Sequence, residues 1–571
     1  MLARRVLPLA LLLAGLPAAS QSLTVVGTSP AMNATAASRT AAVTVTFSEA
    51  LDASSVTPAR VRVFGRWSGP VPGTLAVDGP ALTFTPSRPY QAGEHVTMQL
   101  AAGITDTDGE SIGVGRGLTF WAASGPGTLD QTALGPVAIR FPGEGNIVTY
   151  GGVGIDLDGD RFNDFVVTNE ATDDVRVFRN DGTGRYGAFT AVALPDGNVP
   201  SPLESGDFNG DGHLDLAVAN LGNDKVSVLL GNGAGGFPTG ASYTAGMNVR
   251  GIAAIDADGD GHDDLLTGHL GAGTVGILTG RPDGTFSAPA MVPVTGVTPH
   301  GIAIADFDED GRLDAALADF AGEAIVILRA DGAGSYAESA RRSAIGSPWM
   351  IAAGDVDGDG HADVVATGAF AGITNVFWGD GDGGFSGVTE IPAGSFQVAI
   401  DLGDLDGDGD LDVVSSNLSS REWVVTETLP GRTFGAPRRF AVPGGASCAT
   451  LHDRDDDGDL DITGIDEVDD LIYLFDNVMP VSTSPNASSD IRLALDGPNP
   501  ARGHAALTVG LGTHDAGRLT IVDALGRVAL DLGPVRNGRV GVDLGGLAAG
   551  VYVARLDVGG SVRTVRLAVA R

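Results

Sequence analysis

The chain has one cysteine in 571 residues, Cys448, so no internal disulfide holds it together. Cys448 sits in an apolar segment and reads as a small core residue. Basic residues are scarce: 35 Lys and Arg face 71 Asp and Glu, for a formal net charge of −36. Binding nucleic acid needs clustered Lys and Arg against phosphates, so this balance argues against a nucleic-acid partner. Apolar runs with a helical period are few. Beyond residue 20 no stretch is apolar for the ~18 residues a membrane-spanning helix needs.

Glycine is abundant, at 85 residues, without the period of collagen. It falls in turns between Val-, Ile- and Thr-rich segments of strand length. At 43% hydrophobic the chain can bury a large core. The fold class expected is all-β.

Residues 1–20 read as an export signal. Arg4 and Arg5 form a positive start, Val6 to Leu16 an apolar stretch, and Ala18-Ala19-Ser20 a small-residue cleavage site. No Cys follows that site, which argues against a lipid anchor.

The middle of the chain repeats. The run Asp404-Leu405-Asp406-Gly407-Asp408-Gly409-Asp410-Leu411-Asp412 has acidic residues at positions 1, 3, 5 and 9 and Gly at 4 and 6. Runs of this kind start at Asp156, Asp207, Asp256, Asp306, Asp355, Asp404 and Asp453, in steps of 49 to 51 residues. A period of about 50 residues with four strand-like segments per unit suits a propeller blade. Seven units predict a seven-bladed β-propeller over 134–478. The seventh unit lacks a fourth strand, and an extra strand, Pro136 to Phe141, precedes the first unit. That strand is expected to complete the seventh blade and so remove open sheet edges. Linkers are expected at 123–133 and 479–490, with smaller β-sandwiches at 22–122 and 491–571.

Alternating carboxylates in a tight loop suit a hard cation, because calcium takes six to eight oxygens. The expected ligands are Asp156, Asp158, Asp160 and Asp164; Asp207, Asn209, Asp211 and Asp215; Asp256, Asp258, Asp260 and Asp264. They continue with Asp306, Asp308, Asp310 and Asp314; Asp355, Asp357, Asp359 and Asp363; Asp404, Asp406, Asp408 and Asp412; and Asp453, Asp455, Asp457 and Asp461. Seven Ca2+ ions would bring the charge from −36 to −22. The last carboxylate falls at position 9 rather than 12, and strand-like sequence flanks it, so the loop is not an EF-hand. The sites are not expected to be equal: Arg161 stands at position 6 of the first run, Asn209 lowers the ligand charge of the second, and Glu309 and Asp456 replace Gly at position 4 of the fourth and seventh. His213, His262 and His361 at position 7 are expected to face solvent.

The units resemble the FG-GAP and VCBS repeats, which include the integrin α-subunit propeller. That resemblance implies one calcium per run, in the hairpin between a blade's first two strands. Residues 22–122 resemble the bacterial Ig-like domain, through Phe47-Ser48-Glu49-Ala50-Leu51-Asp52, Thr83-Phe84-Thr85-Pro86 and Asp106-Thr107-Asp108-Gly109. This implies a spacer or adhesive module. Residues 491–571 resemble the C-terminal sorting domain of the type IX secretion system. Pro498-Asn499-Pro500, Ile521 to Arg527, Leu544-Gly545-Gly546-Leu547 and Gly550-Val551-Tyr552 carry that likeness. It implies outer-membrane translocation and a secreted or cell-surface location.

Six residues before each run stand Tyr150, Ser201, Arg250, His300, Trp349, Val398 and Ser447. In a propeller this position rings the channel mouth opposite the acidic loops. It varies from unit to unit, so Tyr150, Arg250, His300 and Trp349 are the candidate ligand-binding residues. Glu204 and Asp401, each three residues before a run, are the one carboxylate pair that suggests acid–base chemistry. The function expected is a calcium-binding adhesion or binding module for a glycan or protein. A polysaccharide lyase or hydrolase on the same scaffold is the alternative.

Overall fold

The computed structural model describes residues 22–477, 491–495, 501–511, 516–523, 527–558 and 561–570. The expected export signal, the expected linker at 479–490, Pro498-Asn499-Pro500 and residues 524–526 lie outside the described residues. Among the described residues there is no α-helix, and the chain is all-β.

The first domain pairs two four-stranded sheets. One runs Val25–Ser29, Val43–Phe47, Ala81–Pro86, Gly73–Asp78; the other runs Gly69–Pro70, Val61–Gly65, His95–Leu100, Arg116–Trp121. Alternation along Val43–Phe47 and Val61–Gly65 turns every second side chain inward, onto Val45, Phe47, Val63, Leu82 and Met98.

Seven four-stranded antiparallel sheets follow as a β-propeller. The second blade shows the pattern: Pro200–Gly206, Asp215–Asn220, Lys225–Leu230 and Thr239–Thr244 pair in chain order. First strands of successive blades touch around the ring, and Ala446–His452 meets Thr149–Ile155 to close it. The second strand of every blade is buried along its whole length, because it lies between two neighbouring sheets. Its sequence is accordingly a continuous small-apolar run such as Leu216-Ala217-Val218-Ala219. The core is thus a series of wedges, as where Val166 and Val177 of the first blade pack on Leu203, Leu216 and Val218 of the second. Outer strands such as Thr239–Thr244 are largely exposed.

The seventh blade is completed by Thr132–Ala138, paired antiparallel with Leu471–Asp476. This strand starts four residues before the expected one. Residues 139–141 leave the ladder because the Ile139 N–H donates to Asp470 and its carbonyl accepts from Arg176 at 2.6 Å. The expected linker at 123–133 is likewise bound to the ring. Ser124 donates to the Asp404 carbonyl at 2.7 Å, the Thr128 N–H donates to Asn477 at 2.8 Å, and Leu129 is buried. Its small polar residues lie along the blade loops as an ordered seam.

The C-terminal segment forms a three-stranded sheet (Ile491–Leu495, His504–Leu511, Gly538–Asp543) and a five-stranded one. They enclose Leu507, Val509, Leu519, Ile521, Leu556 and Leu567.

Candidate functional site

Each acidic run is the hairpin between a blade's first and second strands. In the run at Asp404, Oδ1 accepts from Gly407 N–H at 2.7 Å and Asp408 N–H at 3.2 Å, while Oδ2 accepts from Gly409 N–H at 3.1 Å. The chain therefore curls around position 1. Gly407 and Gly409 take φ of 79° and 97°, a left-handed region glycine enters freely. Glu309 and Asp456 at position 4, and Arg161 at position 6, are forced to φ of 57°, 54° and 79°. Each such residue costs about 1–2 kcal/mol of backbone strain.

Position 9 also has a structural role. Asp412 accepts from Leu405 N–H and from Thr428 N–H, both at 3.0 Å, which ties the hairpin to the third strand. Asp215, Asp264, Asp314 and Asp363 repeat both ties.

Carboxylate oxygens converge within 4.8 Å in Asp156/Asp158/Asp160, Asp256/Asp258/Asp260, Asp306/Asp308/Asp314, Asp355/Asp357/Asp359 and Asp404/Asp406/Asp412. Burial pushes Asp264 and Asp363 up to about 8 and Asp215 and Asp314 up to about 7, with neighbouring aspartates adding to the rise. A divalent cation relieves that repulsion, and an all-oxygen donor set fits a hard one such as calcium.

The runs also attract arginines that the sequence reading missed. Arg179 pairs with Asp158 and Asp164 of the first run, Arg329 with Asp308 of the fourth, and Arg432 with Asp357 and Asp359 of the fifth. Arg179 and Arg329 each stand 15 residues after position 9 of their runs, a register that unit-by-unit comparison contains. Arg161, in contrast, points away from its own run, to Asp456 at 3.0 Å and the Pro89 carbonyl. His361 meets Glu309 at the surface, and His213 is exposed.

The Ig-like domain covers the loop face. Trp67 is fully buried among Leu405, Val414, Trp423, Leu451 and Leu460, and Trp121 packs on Val356, Leu402 and Leu411. Backbone bonds from the domain reach three of the runs: Asp156 N–H to Trp67 O at 2.8 Å, Ala102 N–H to Gly259 O at 3.0 Å and Gly117 N–H to Gly311 O at 2.9 Å. Position-8 leucines seat against glycines of the domain. A Cβ at Gly69, Gly93 or Gly117 would lie 2.6–2.8 Å from Leu214, Leu460 or Leu313. On the channel axis Arg66 donates to Asp401 at 2.8 Å, and Asp401 also accepts from Leu402 and Leu451 N–H. Burial lifts Glu204 to about 7, against the pull of Arg66. Asp401 is thus committed to holding the domain and is not a free carboxylate partner for Glu204. A cavity of about 320 Å³ remains between domain and ring, lined in part by Arg66, His95, Glu204 and Asp401.

The other mouth carries the variable ring, and its four candidates contact one another. Arg250 lies 4.3 Å from the Tyr150 ring centre and 5.3 Å from that of Trp349. Trp349 Nε1 donates across the channel to the Tyr150 hydroxyl at 2.6 Å, and Arg250 donates to Ser201 at 2.6 Å. The His300 ring packs at a tilt, 4.6 Å from both Phe320 and Trp349. The four candidates do ring this mouth, but a Tyr–Arg–Trp cluster spans it, and Arg250 and His300 are buried. The outward-facing groups are ones sequence reading did not select. Phe370 is 66% exposed and stacks parallel on Phe396 at 5.3 Å, and Phe396 packs edge-on against Trp349.

Among known families, residues 19–121 match the bacterial Ig-like domain, and residues 156–218, 207–267, 256–317 and 355–415 match the FG-GAP-like repeat. No curated protein matches. Solved structures are similar at low identity. BBS1N, in complex with ARL6DN, is 14% identical, with TM-score 0.44, over 62% of this chain and 98% of its own. An Agrocybe aegerita lectin recognising non-reducing terminal N-acetylglucosamine is 19% identical (TM-score 0.39; 51% and 80% covered). A Bacteroides ovatus auxiliary nutrient binding protein is 11% identical (TM-score 0.36; 80% and 98% covered). Among the described residues no helix is long and apolar enough to cross a membrane. The chain thus carries an N-terminal bacterial Ig-like domain followed by FG-GAP-like repeats.

Proposed function

We propose that the protein is an exported, calcium-loaded binding module whose mouth opposite the acidic loops recognises a glycan or protein at or beyond the cell surface. Up to seven Ca2+ ions sit in the acidic runs and hold the hairpins. Tyr150, Arg250, His300 and Trp349 form a rigid floor, and Phe370 and Phe396 present flat apolar faces above it. The observation that carries this reading is the exposed Phe370, stacked on a fixed aromatic framework at the mouth the Ig-like domain leaves uncovered. Aromatic faces of this kind suit the C–H face of a sugar ring or an apolar side chain. For residues 491–571 we propose a role in type IX outer-membrane secretion, supported by the order of its motifs. The experiment is a glycan-array and surface-extract binding screen of the full chain in calcium. Binding lost on Phe370→Ala with Phe396→Ala, at unchanged melting temperature, supports the reading. Full binding by that variant overturns the assignment of the mouth.

A further inference from the structure

The seventh run differs from the others in what reaches it. Asp453, Asp455, Asp459 and Asp461 are each about 1% exposed. Asp453 Oδ2, Asp455 Oδ1, Asp461 Oδ2 and both Asp459 oxygens lack a hydrogen-bond donor. Buried carboxylate oxygens without donors are costly unless a cation faces them. At the rim of the run Arg39 lies 4.0 Å from Asp453, and within the run the buried Arg454 lies 3.5 Å from Asp461 and 2.8 Å from Asp476. The cation that enters between its ligands comes from the C-terminal segment. Arg566, on Ser561–Ala570, pairs with Asp455, and its Nη1 lies 3.4 Å from Asp476 and 3.8 Å from Asp457. Asp476 holds the register that Arg179 and Arg329 hold in the first and fourth units. Where those blades place a guanidinium at that register, the seventh has a carboxylate; its own Arg454 is engaged with Asp461 and Asp476, and the guanidinium at Asp455 and Asp457 comes from another domain.

We infer that Arg566 is a detachable occupant of the seventh acidic run, docking the C-terminal segment there and excluding a divalent cation until it withdraws. The inference rests on the calcium reading of the runs. Guanidinium and Ca2+ compete for the same oxygens, so departure of the C-terminal segment frees a site. Docking and metal binding are then linked with opposite sign.

The test is calcium per chain, by elemental analysis after dialysis against buffered calcium, for the full chain and for Arg566→Gln, Arg566→Lys and Arg566→Gln with Asp455→Asn. Arg566→Gln should hold one more calcium than the parent, and the other two should match the parent. A parent that holds calcium and an Arg566→Gln variant with the same count overturn the inference and leave the calcium reading standing. No calcium on either overturns both. A second measurement needs no variant: rising calcium should speed proteolytic release of the C-terminal segment from the parent chain. Release that is unchanged or slowed by calcium overturns the inference.

Discussion

The two faces of the ring use aromatic residues in opposite ways. On the loop face Trp67 is fully buried and joins the Ig-like domain to the sixth and seventh blades. On the other face Phe370 is 66% exposed above a cluster that already satisfies itself. The loop face repeats because every run curls, holds charge and ties to the third strand in the same way. The other mouth does not repeat, because one Arg–Tyr–Trp contact serves the whole ring. Repetition marks what builds the molecule, and variation marks the mouth proposed to bind a partner.

Removing calcium should have the largest effect on this contrast. Metal bound only to the folded ring stabilises it by mass action, so excess chelator should lower the melting temperature by roughly 10 °C or more. An unchanged melt would remove the calcium reading. Next is Trp67→Ala, which should cost about 3–5 kcal/mol at the domain junction. Calorimetry should then show the Ig-like domain melting apart from the ring; a single unshifted transition would contradict its role. Arg66→Met comes third. It leaves Asp401 buried without its partner, at a cost of roughly 1–3 kcal/mol, reduced from the fully buried case because Arg66 is partly exposed. Adding Asp401→Asn should restore most of that loss, as read by chemical denaturation.

A smaller effect concerns acid. Burial, helped by Arg250, lowers His300 to about 3 from the ordinary value of 6.5. Between those values the unfolded chain takes a proton that the folded one refuses. The neutral imidazole's contribution is therefore complete above about 6.5 and is lost as pH falls toward 3, at about 1.4 kcal/mol per unit. In saturating calcium, His300→Phe should lose less stability than the parent between pH 6.5 and 4. Parallel curves would contradict the burial of that ring. The smallest effect on stability should come from Phe370→Ala, within about 0.5 kcal/mol, because the side chain is already in solvent. The same change should abolish ligand capture.

Much of the scaffold was legible because its signals are local. The spacing of Asp404, Asp406, Asp408 and Asp412 is contained in nine residues, and the period between runs reports the blade. The strand that closes the ring was also legible, since an unpaired third strand at Leu471–Asp476 needs a partner; its start was misplaced because Ile139 is drawn away by Asp470 and Arg176. What was not legible depends on distant pairings. Nothing local announces that Trp67 enters the ring or that Arg66 seeks Asp401 335 residues away. Phe370 and Phe396 follow a different register from the Tyr150–Trp349 series, so comparing one position across units passed over them.

Hydrogen exchange along the full chain, with calcium and with chelator, tests the division between the two faces most directly. Calcium should strongly slow exchange at the runs and at Asp156, Gly311 and their backbone partners in the Ig-like domain. It should leave the segments around Phe370 and Phe396 nearly unchanged. Equal protection of both faces, or none at the runs, would contradict the account.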